Sequence, residues 1–439
     1  MRLGRWLWAA PDGLRYLGTL SWLHRSQYAS PERMRAFQEA RLRHLAEHAY
    51  ARTVFYRQRF DEAGVRSSEI TFLEALQRVP LVTRYDILNR PAEMRAGNAR
   101  HFRPETGHTS GTTGARLEFL RDQQTIRMAN AAMWRFEGWH GARWRHRRAE
   151  IRSIRASDSP TEFLHSHGSP TLIVNITSSQ ITPQLAATAL AEFNPEVIVA
   201  RSPAWLAWLS LYLVERRPHS IRPRVVFTRG EQLFAEQRQA MTDAFGVQVV
   251  DVYATHEFLV FGGECTHGRM HLASEMGIVE ILKDGRAAAP GEVGSVVLTS
   301  LWNHAFPFIR YDIGDIACME AGPCPCGRTL PTWRLIGGRQ RDLVAVRSGY
   351  MYVPAYLLTA PHWRGKIIEF QFFQESREGV AARIVRGPAF TDSDTDRLRS
   401  ELSAYFKGEL DISIEFLDSI GLTAGGKFRF VVSRVPLEI

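Results

Sequence analysis

The chain has 439 residues, of which 45% are hydrophobic and 23% charged, with a net charge of +9 and a pI near 9.6. A single core rarely organises so many residues, so two or more domains are expected, of ordinary globular rather than disordered or fibrous character. The basic excess is Arg-rich and spread along the chain, which speaks against a concentrated nucleic-acid-binding stripe, and four cysteines are too few for a disulfide framework.

No run reaches the apolar length of a membrane span. Charges interrupt Met1 to Leu20, and no small-residue cleavage site follows an apolar core there. A cytoplasmic protein, monomer or homodimer, without a stable nucleic-acid partner is therefore expected. From Pro31 to Gly64 apolar residues such as Leu42, Leu45, Ala49 and Val54 recur at helical steps, predicting helix. Pro80 to Asp86 predicts a turn with Thr83 as a helix N-cap.

Thr109-Ser110-Gly111-Thr112-Thr113-Gly114 interleaves hydroxyls with glycines just before the strand-like Leu117 to Leu120. Glycine permits positive φ and close backbone approach, so such a turn can offer amides and hydroxyls to a polyanion. No Gly-Lys-Ser/Thr follows, which separates it from the Walker phosphate loop, and a plain polar turn is the alternative. Asp122 to Trp139 predicts a helix. Trp139 to Arg155, crowded with Trp, His and Arg, reads as an exposed basic face against which the tryptophans pack, with a binding role as the alternative.

From Thr171 short apolar runs (Leu172 to Val174, Val197 to Val199, Arg224 to Phe227, Val247 to Tyr253) alternate with helical segments Pro183 to Phe193, Pro203 to Glu215 and Ala235 to Phe245. This predicts α/β units with a largely parallel sheet, whose ligands sit beyond the carboxyl ends of the strands. Gly230-Glu231 and Tyr253 to Glu257 fall at such ends.

The series Thr109 to Gly114, Gly230-Glu231, Tyr253-Ala254-Thr255-His256-Glu257, Arg310-Tyr311-Asp312-Ile313-Gly314-Asp315, Gly338-Arg339 and the glycine-flanked Lys427 resembles the adenylate-forming acyl ligase superfamily. Within it, the pattern is similar to the phenylacetate–CoA ligase branch and its capsular-polysaccharide-biosynthesis relatives. The resemblance implies an α/β fold: a large N-terminal domain of mixed sheets flanked by helices, residues 1–338, and a small mobile α+β lid, residues 339–439. It also implies ATP-dependent activation of a carboxylic acid as an acyl-adenylate, with release of pyrophosphate. Transfer to a thiol, either coenzyme A or a carrier-protein pantetheine, or to an amine would follow.

By the same resemblance, Thr109, Ser110, Gly111, Thr112, Thr113 and Gly114 would hold the β- and γ-phosphates. Lys427, Glu257 and Thr112 would be the catalytic groups, Glu257 also holding Mg²⁺, a hard cation that prefers oxygen. Gly230, Glu231 and Tyr253 would frame the adenine, and Asp315 and Arg339 would bond the ribose. Three positions depart from the pattern. Ala115-Arg116 stands where Lys-Pro often continues the phosphate loop, and Ala254 stands where glycine is frequent. Arg341-Asp342 leaves the hinge residue open.

Cys324-Pro325-Cys326 and Cys265 with His271 would supply a Cys₃His set for structural Zn²⁺, against the alternative of reduced thiols and a buried Cys265. Cys318 reads as core or strand. His256 has a possible place facing the acyl group. Trp134, Trp139, Phe163 and Trp205 permit an aryl acid, which the resemblance favours. A catalytically vestigial scaffold or nucleic-acid-binding protein is the rival from another class.

Overall fold

A computed structural model of the chain describes residues 11–108, 117–154, 156–166, 169–337, 343–353, 356–359, 361–363, 365–421 and 430–436. Helical periodicity at the start gives α1 (Pro11–Ser26), α2 (Pro31–Arg52) and α3 (Val54–Glu62). The helix expected from Pro31 to Gly64 is therefore two. Thr53 takes extended backbone and starts the second by accepting a hydrogen bond from Tyr56 N. Short helices α4 (Leu73–Leu76), α5 (Arg84–Asn89) and α6 (Pro91–Met94) follow. Thr83 and Asp86 cap α5 reciprocally, the turn the sequence predicts.

Strands β1 (Glu105–His108) and β2 (Glu118–Arg121) form a hairpin in which His108 pairs with Glu118, so residues 109–117 connect them. Asp122 caps α7 (Gln123–Trp139) by accepting from Thr125 N. The alternating region then builds β3 (Arg148–Arg152), β4 (Thr161–Ser166), β5 (Ser169–Asn175), α8 (Pro183–Phe193), β6 (Val197–Ala200), α9 (Pro203–Glu215), β7 (Val225–Arg229), α10 (Ala235–Phe245) and β8 (Val249–Thr255). Strands β5, β3, β6, β7 and β8 lie parallel in that order.

Both faces of this parallel part are covered, which is why Val197 to Ala200 is buried throughout. Side-chain alternation divides the strands between two cores. Ile198, Ala200 and Val226 join a cluster with α8, α9 and α10, whereas Val197, Val199, Val225 and Phe227 join one with α2, α3 and α7. The basic face expected over Trp139 to Arg155 is corrected here. Its Arg148 to Arg152 portion is an interior strand, and buried Arg148 makes two bonds to Glu137 at 2.8 and 2.9 Å. A buried guanidinium is tolerable when its charge is matched this way.

Strands β9 (Leu259–Glu264), β10 (Met270–Leu272), β11 (Gly277–Lys283), β12 (Arg286–Ala287), β13 (Gly294–Ser300), β14 (Tyr311–Met319) and β15 (Thr332–Gly337) extend the ladder antiparallel into one 13-stranded mixed sheet. Beyond it come β16 (Leu343–Val346), β17 (Gly349–Tyr352), α11 (Tyr356–Thr359), β18 (Ile367–Gln374), β19 (Gly379–Arg386), α12 (Asp392–Phe406), β20 (Asp411–Phe416) and β21 (Val431–Ser433). These form an α+β unit whose buried cluster runs from Val344 to Val431. Among the described residues, no helix is long and apolar enough to cross a membrane.

Candidate active site

The carboxyl ends of the parallel strands carry the first group of expected residues. Strand β7 ends at Arg229, and Gly230 turns the chain with φ of +87°, a conformation that side chains resist. The next residue, Glu231, accepts a hydrogen bond from Ser202 Oγ at 3.1 Å, and burial raises its carboxyl pKa. On the neighbouring strand, Tyr253 donates its hydroxyl proton to Asp315 Oδ2 at 2.6 Å. Its ring stands edge-on to Trp333 with centroids 4.9 Å apart.

Asp315 reaches Tyr253 because β14 is irregular there. Pairing with β13 passes from Val297 opposite Asp312 to Ser295 opposite Ile316, leaving extra residues that bulge around Gly314. Gly314, at φ +79°, donates its amide to Asp312 Oδ1 at 2.9 Å and sets the bend. Arg310 anchors the start of the strand by donating to the carbonyls of Gln77 and Val79 and pairing with Glu280. Val82 bonds Arg310 and Asp312 on either side, so the Pro80 turn locks the same segment.

Glu257 lies in the turn between β8 and β9 and is 5% exposed. Thr255 Oγ1 accepts from Phe258 N at 3.0 Å and shapes that turn. Phe258 packs on Phe308 and Phe308 on Phe119 of β2, with centroids 5.2 and 5.8 Å apart. The Glu257 turn is thereby tied to the β1–β2 hairpin. Arg121, at the end of β2, has its pKa lowered by burial, against which the negative charges of Glu105 and Glu257 act. His256, next to Glu257, is exposed.

Thr109 to Gly114, Arg339 and Lys427 lie outside the described residues. Gly337, two residues before Arg339, pairs with Ile316 beside Asp315, and β21 follows Lys427 by four residues.

The cysteine constellation does assemble. One ligand atom from each of Cys265, His271, Cys324 and Cys326 lies within 4.8 Å of all the others. Cys265 Sγ is 3.6 Å from Cys324 Sγ, and Cys326 Sγ is 3.3 Å from His271 Nε2. A tetrahedral zinc with Zn–S near 2.3 Å has edges of about 3.8 Å, so the donor set fits that ion. His271 Nδ1 faces the Leu330 carbonyl at 2.8 Å, which leaves Nε2 as the ligating nitrogen. Burial raises the Cys324 thiol to about 11, whereas at Cys326 burial, the largest single effect, is outweighed by the combined hydrogen bonds of the Arg328 backbone and side chain, Cys324 and Cys265, which lower it. Cys318 is a buried residue of β14, agreeing with the core-or-strand expectation.

The four candidate aromatics do not converge. Trp134 lies under Arg148, Trp139 packs on Phe136 and His271, Phe163 is 62% exposed, and Trp205 packs on Trp208. Sequence reasoning missed Trp333, Ser202 and Arg121, whose only signal is the cross-strand register. It also missed Arg201, just past the end of β6, and Arg229, the last residue of β7, at the same edge. A cavity of about 350 Å³ lined by Trp22, Phe37, Met128 and Trp302 lies elsewhere, among the N-terminal helices.

Residues 352–434 match the family described as the CapK C-terminal domain. Phenylacetate–coenzyme A ligase of Thermus thermophilus is 27% identical over 348 residues, 75% of this chain and 76% of that protein. Protein CapK of Staphylococcus aureus is 24% identical over 252 residues, 56% and 54% of the two chains. Among solved structures, 2-hydroxyisobutyryl-CoA ligase in the postadenylation state superposes with a TM-score of 0.70 at 18% identity, over 93% of this chain and 91% of that one. The same ligase in its thioesterification state gives 0.64. The relatives in sequence are thus phenylacetate–coenzyme A ligases and CapK, and the fold is that of the adenylate-forming CoA ligases.

Proposed function

We propose that this chain, a relative of the phenylacetate–CoA ligases and CapK with the adenylate-forming fold, is an AMP-forming acyl ligase that makes CoA thioesters. The observation that carries the proposal is the contact between Tyr253 and Asp315, made at the carboxyl edge of the parallel strands with buried Glu257 on the adjoining turn. Three residues far apart in sequence are held together where an open α/β sheet binds its ligands.

In the first step a carboxylate oxygen attacks the α-phosphorus of ATP and the bond to pyrophosphate breaks, giving acyl-AMP and pyrophosphate. In the second a thiolate attacks the acyl carbon and AMP leaves. Phosphoryl-type transfer is largely positioning and charge stabilisation. Thr109 to Gly114 cradle the β- and γ-phosphates, Thr112 among them as a catalytic group. Glu257 would supply an oxygen to Mg²⁺, and that ion would neutralise charge on the phosphates. Tyr253 and Gly230-Glu231 flank the adenine, while Asp315 and Arg339 hold the ribose hydroxyls.

Lys427 belongs to a lid, residues 339–439, that closes over residues 1–338. It places a cation on the α-phosphate during adenylation, and lid closure excludes water from the acyl-adenylate. Cys265, His271, Cys324 and Cys326 hold a structural Zn²⁺. Four protein ligands leave no position for a reacting water, so the ion has no part in the chemistry. Relatives named for phenylacetate favour an aryl acid.

A pyrophosphate-release screen across aryl, aliphatic and amino acids tests this reading. Release with at least one acid, followed by thioester formation on adding coenzyme A, is expected. Release that leads to product only with an amine or a carrier protein would replace the acceptor, and no release with any acid would reject the activity.

A further inference from the structure

Three arginines line up at the mouth of this site. Strand pairing sets Ile151 opposite Ala200, Ala200 opposite Thr228, and Arg229 opposite Val252. Arg152, Arg201 and Arg229 each follow those partners by one residue, so they occupy one level across β3, β6 and β7. That level is one residue short of Tyr253. Alternation puts all three on the face of Val197, Val199 and Phe227, the face covered by α7. Arg229 confirms the direction, since its guanidinium reaches Met133 Sδ of α7 at 3.3 Å. The carbonyl of Arg201 lies 3.5 Å from where a Cβ on Gly230 would sit, which puts the row against the Gly230-Glu231 turn.

The charges in this row are not balanced. Glu150 is the carboxylate between them, and it is held loosely, 3.4 Å from Arg152 Nε and 3.7 Å from Arg201 Nη2. A tight guanidinium–carboxylate bond is about 2.7–2.9 Å. Arg152 Nε is buried with no hydrogen-bond partner, and among the described residues Arg229 has a thioether as its polar contact. Nearby Arg148 is already neutralised by its two bonds to Glu137. Three cations thus face one carboxylate. Burial and the neighbouring Arg201 pull the Arg229 pKa down to about 10, against the attraction of Glu150 and Glu137. The row remains accessible, with the Arg201 side chain 49% exposed.

We propose that Arg152, Arg201 and Arg229 form a subsite for a second anionic group on the acyl substrate, so that the acid activated here carries a carboxylate or phosphonate-type group besides the one that is adenylated. The guanidinium fork matches such oxygens two at a time. The remote anion is held while the reacting carboxylate points toward the phosphates. Binding energy from a non-reacting part of the substrate then serves to position the reacting part. This rests on the ligase reading above and narrows its substrate class.

Calorimetric titration without ATP compares 4-carboxyphenylacetate, glutarate and 3-phosphonopropionate with phenylacetate and butyrate, on the wild-type chain and on Arg201→Gln and Arg229→Met. The solvent-facing Arg201→Gln leaves the core intact, so it reads the subsite even if Arg229→Met folds poorly. At least one dianionic acid is expected to bind at least 10-fold tighter than its monoanionic counterpart, an advantage lost in Arg201→Gln. The same variant should raise KM for that acid 10- to 100-fold and leave KM for ATP and coenzyme A unchanged. Equal binding of mono- and dianionic acids would overturn the subsite, as would a rise in KM for coenzyme A alone, which would give the row to the phosphates of the acceptor. Tight dianion binding without pyrophosphate release would reject the ligase reading and keep the anion subsite.

Discussion

Asp315 and Tyr253 are joined by one short bond, and the proposed function puts them at the nucleotide end of the site. In that proposal Asp315 orients the ribose, and the Tyr253 phenol fixes the carboxylate. Asp315→Asn exchanges a charged acceptor for a neutral amide, and bonds to charged groups are worth about 1.5–3 kcal/mol. KM for ATP should therefore rise about 10- to 100-fold, since each 1.4 kcal/mol is a factor of ten. Tyr253→Phe keeps the carboxylate and should raise it only a few-fold. Steady-state kinetics with ATP varied check both, and an unchanged KM in Asp315→Asn would remove the residue from the nucleotide site. Tyr253, Glu257 and Asp315 were legible in the sequence because each belongs to a motif that ends a strand or bends one. Trp333 and Arg121 carry no motif. They matter through their neighbours, and neighbours across a sheet are fixed by register.

At the scale of elements, the Cys₃His cluster joins the β9–β10 turn to the loop between β14 and β15. Zinc bound there would contribute free energy of folding to those loops. The purified chain is expected to hold about one zinc per molecule, with no loss of pyrophosphate release when the metal exchanges for cobalt, because no ligand position faces the substrate. Cys324→Ser should lower both metal content and melting temperature, by roughly 3–5 °C for a loss of a few kcal/mol in a chain of this size. Metal-free protein that melts where the loaded protein does would refute the assignment. Parallel strands announced themselves as apolar runs, and Ala235–Phe245 matches its predicted bounds. Strand β3 was illegible because it alternates arginine and glutamate with Ala149 and Ile151. Such a pattern looks like a solvated face until Glu137 and the row on β6 and β7 supply the matching charges.

The whole molecule carries a stability signature of its own in buried histidines. His304 is packed against His48, His44 and Phe102, with Nδ1 3.0 Å from the Trp302 carbonyl. Burial first, then His48 and Arg41, lowers its pKa to about 4. The unfolded chain takes up this proton near pH 6.5 and the native chain does not, so stability falls as pH drops from 6.5 toward 4. One unit of pH across that window costs about 1.4 kcal/mol for a single such group. His24, His48, His146 and His219, lowered chiefly by burial, act in the same direction. His304→Asn should flatten the decline between pH 6.5 and 5 by about 2 kcal/mol in urea unfolding. An unaltered slope would mean the imidazole is charged in the native state.

The two cores of the large sheet and the separate cluster from Val344 to Val431 give the chain the architecture its motif order implied. Closure of the second unit over the first, with Lys427 as the delivered charge, is the account's central claim. It is tested most directly by carboxylate-dependent exchange of labelled pyrophosphate into ATP, in the wild type and in Lys427→Ala. The wild type is expected to exchange only when its acid is present, and the variant to lose exchange by on the order of 100-fold or more, the scale of removing one group that stabilises transition-state charge. Exchange at the wild-type rate in Lys427→Ala would contradict the account.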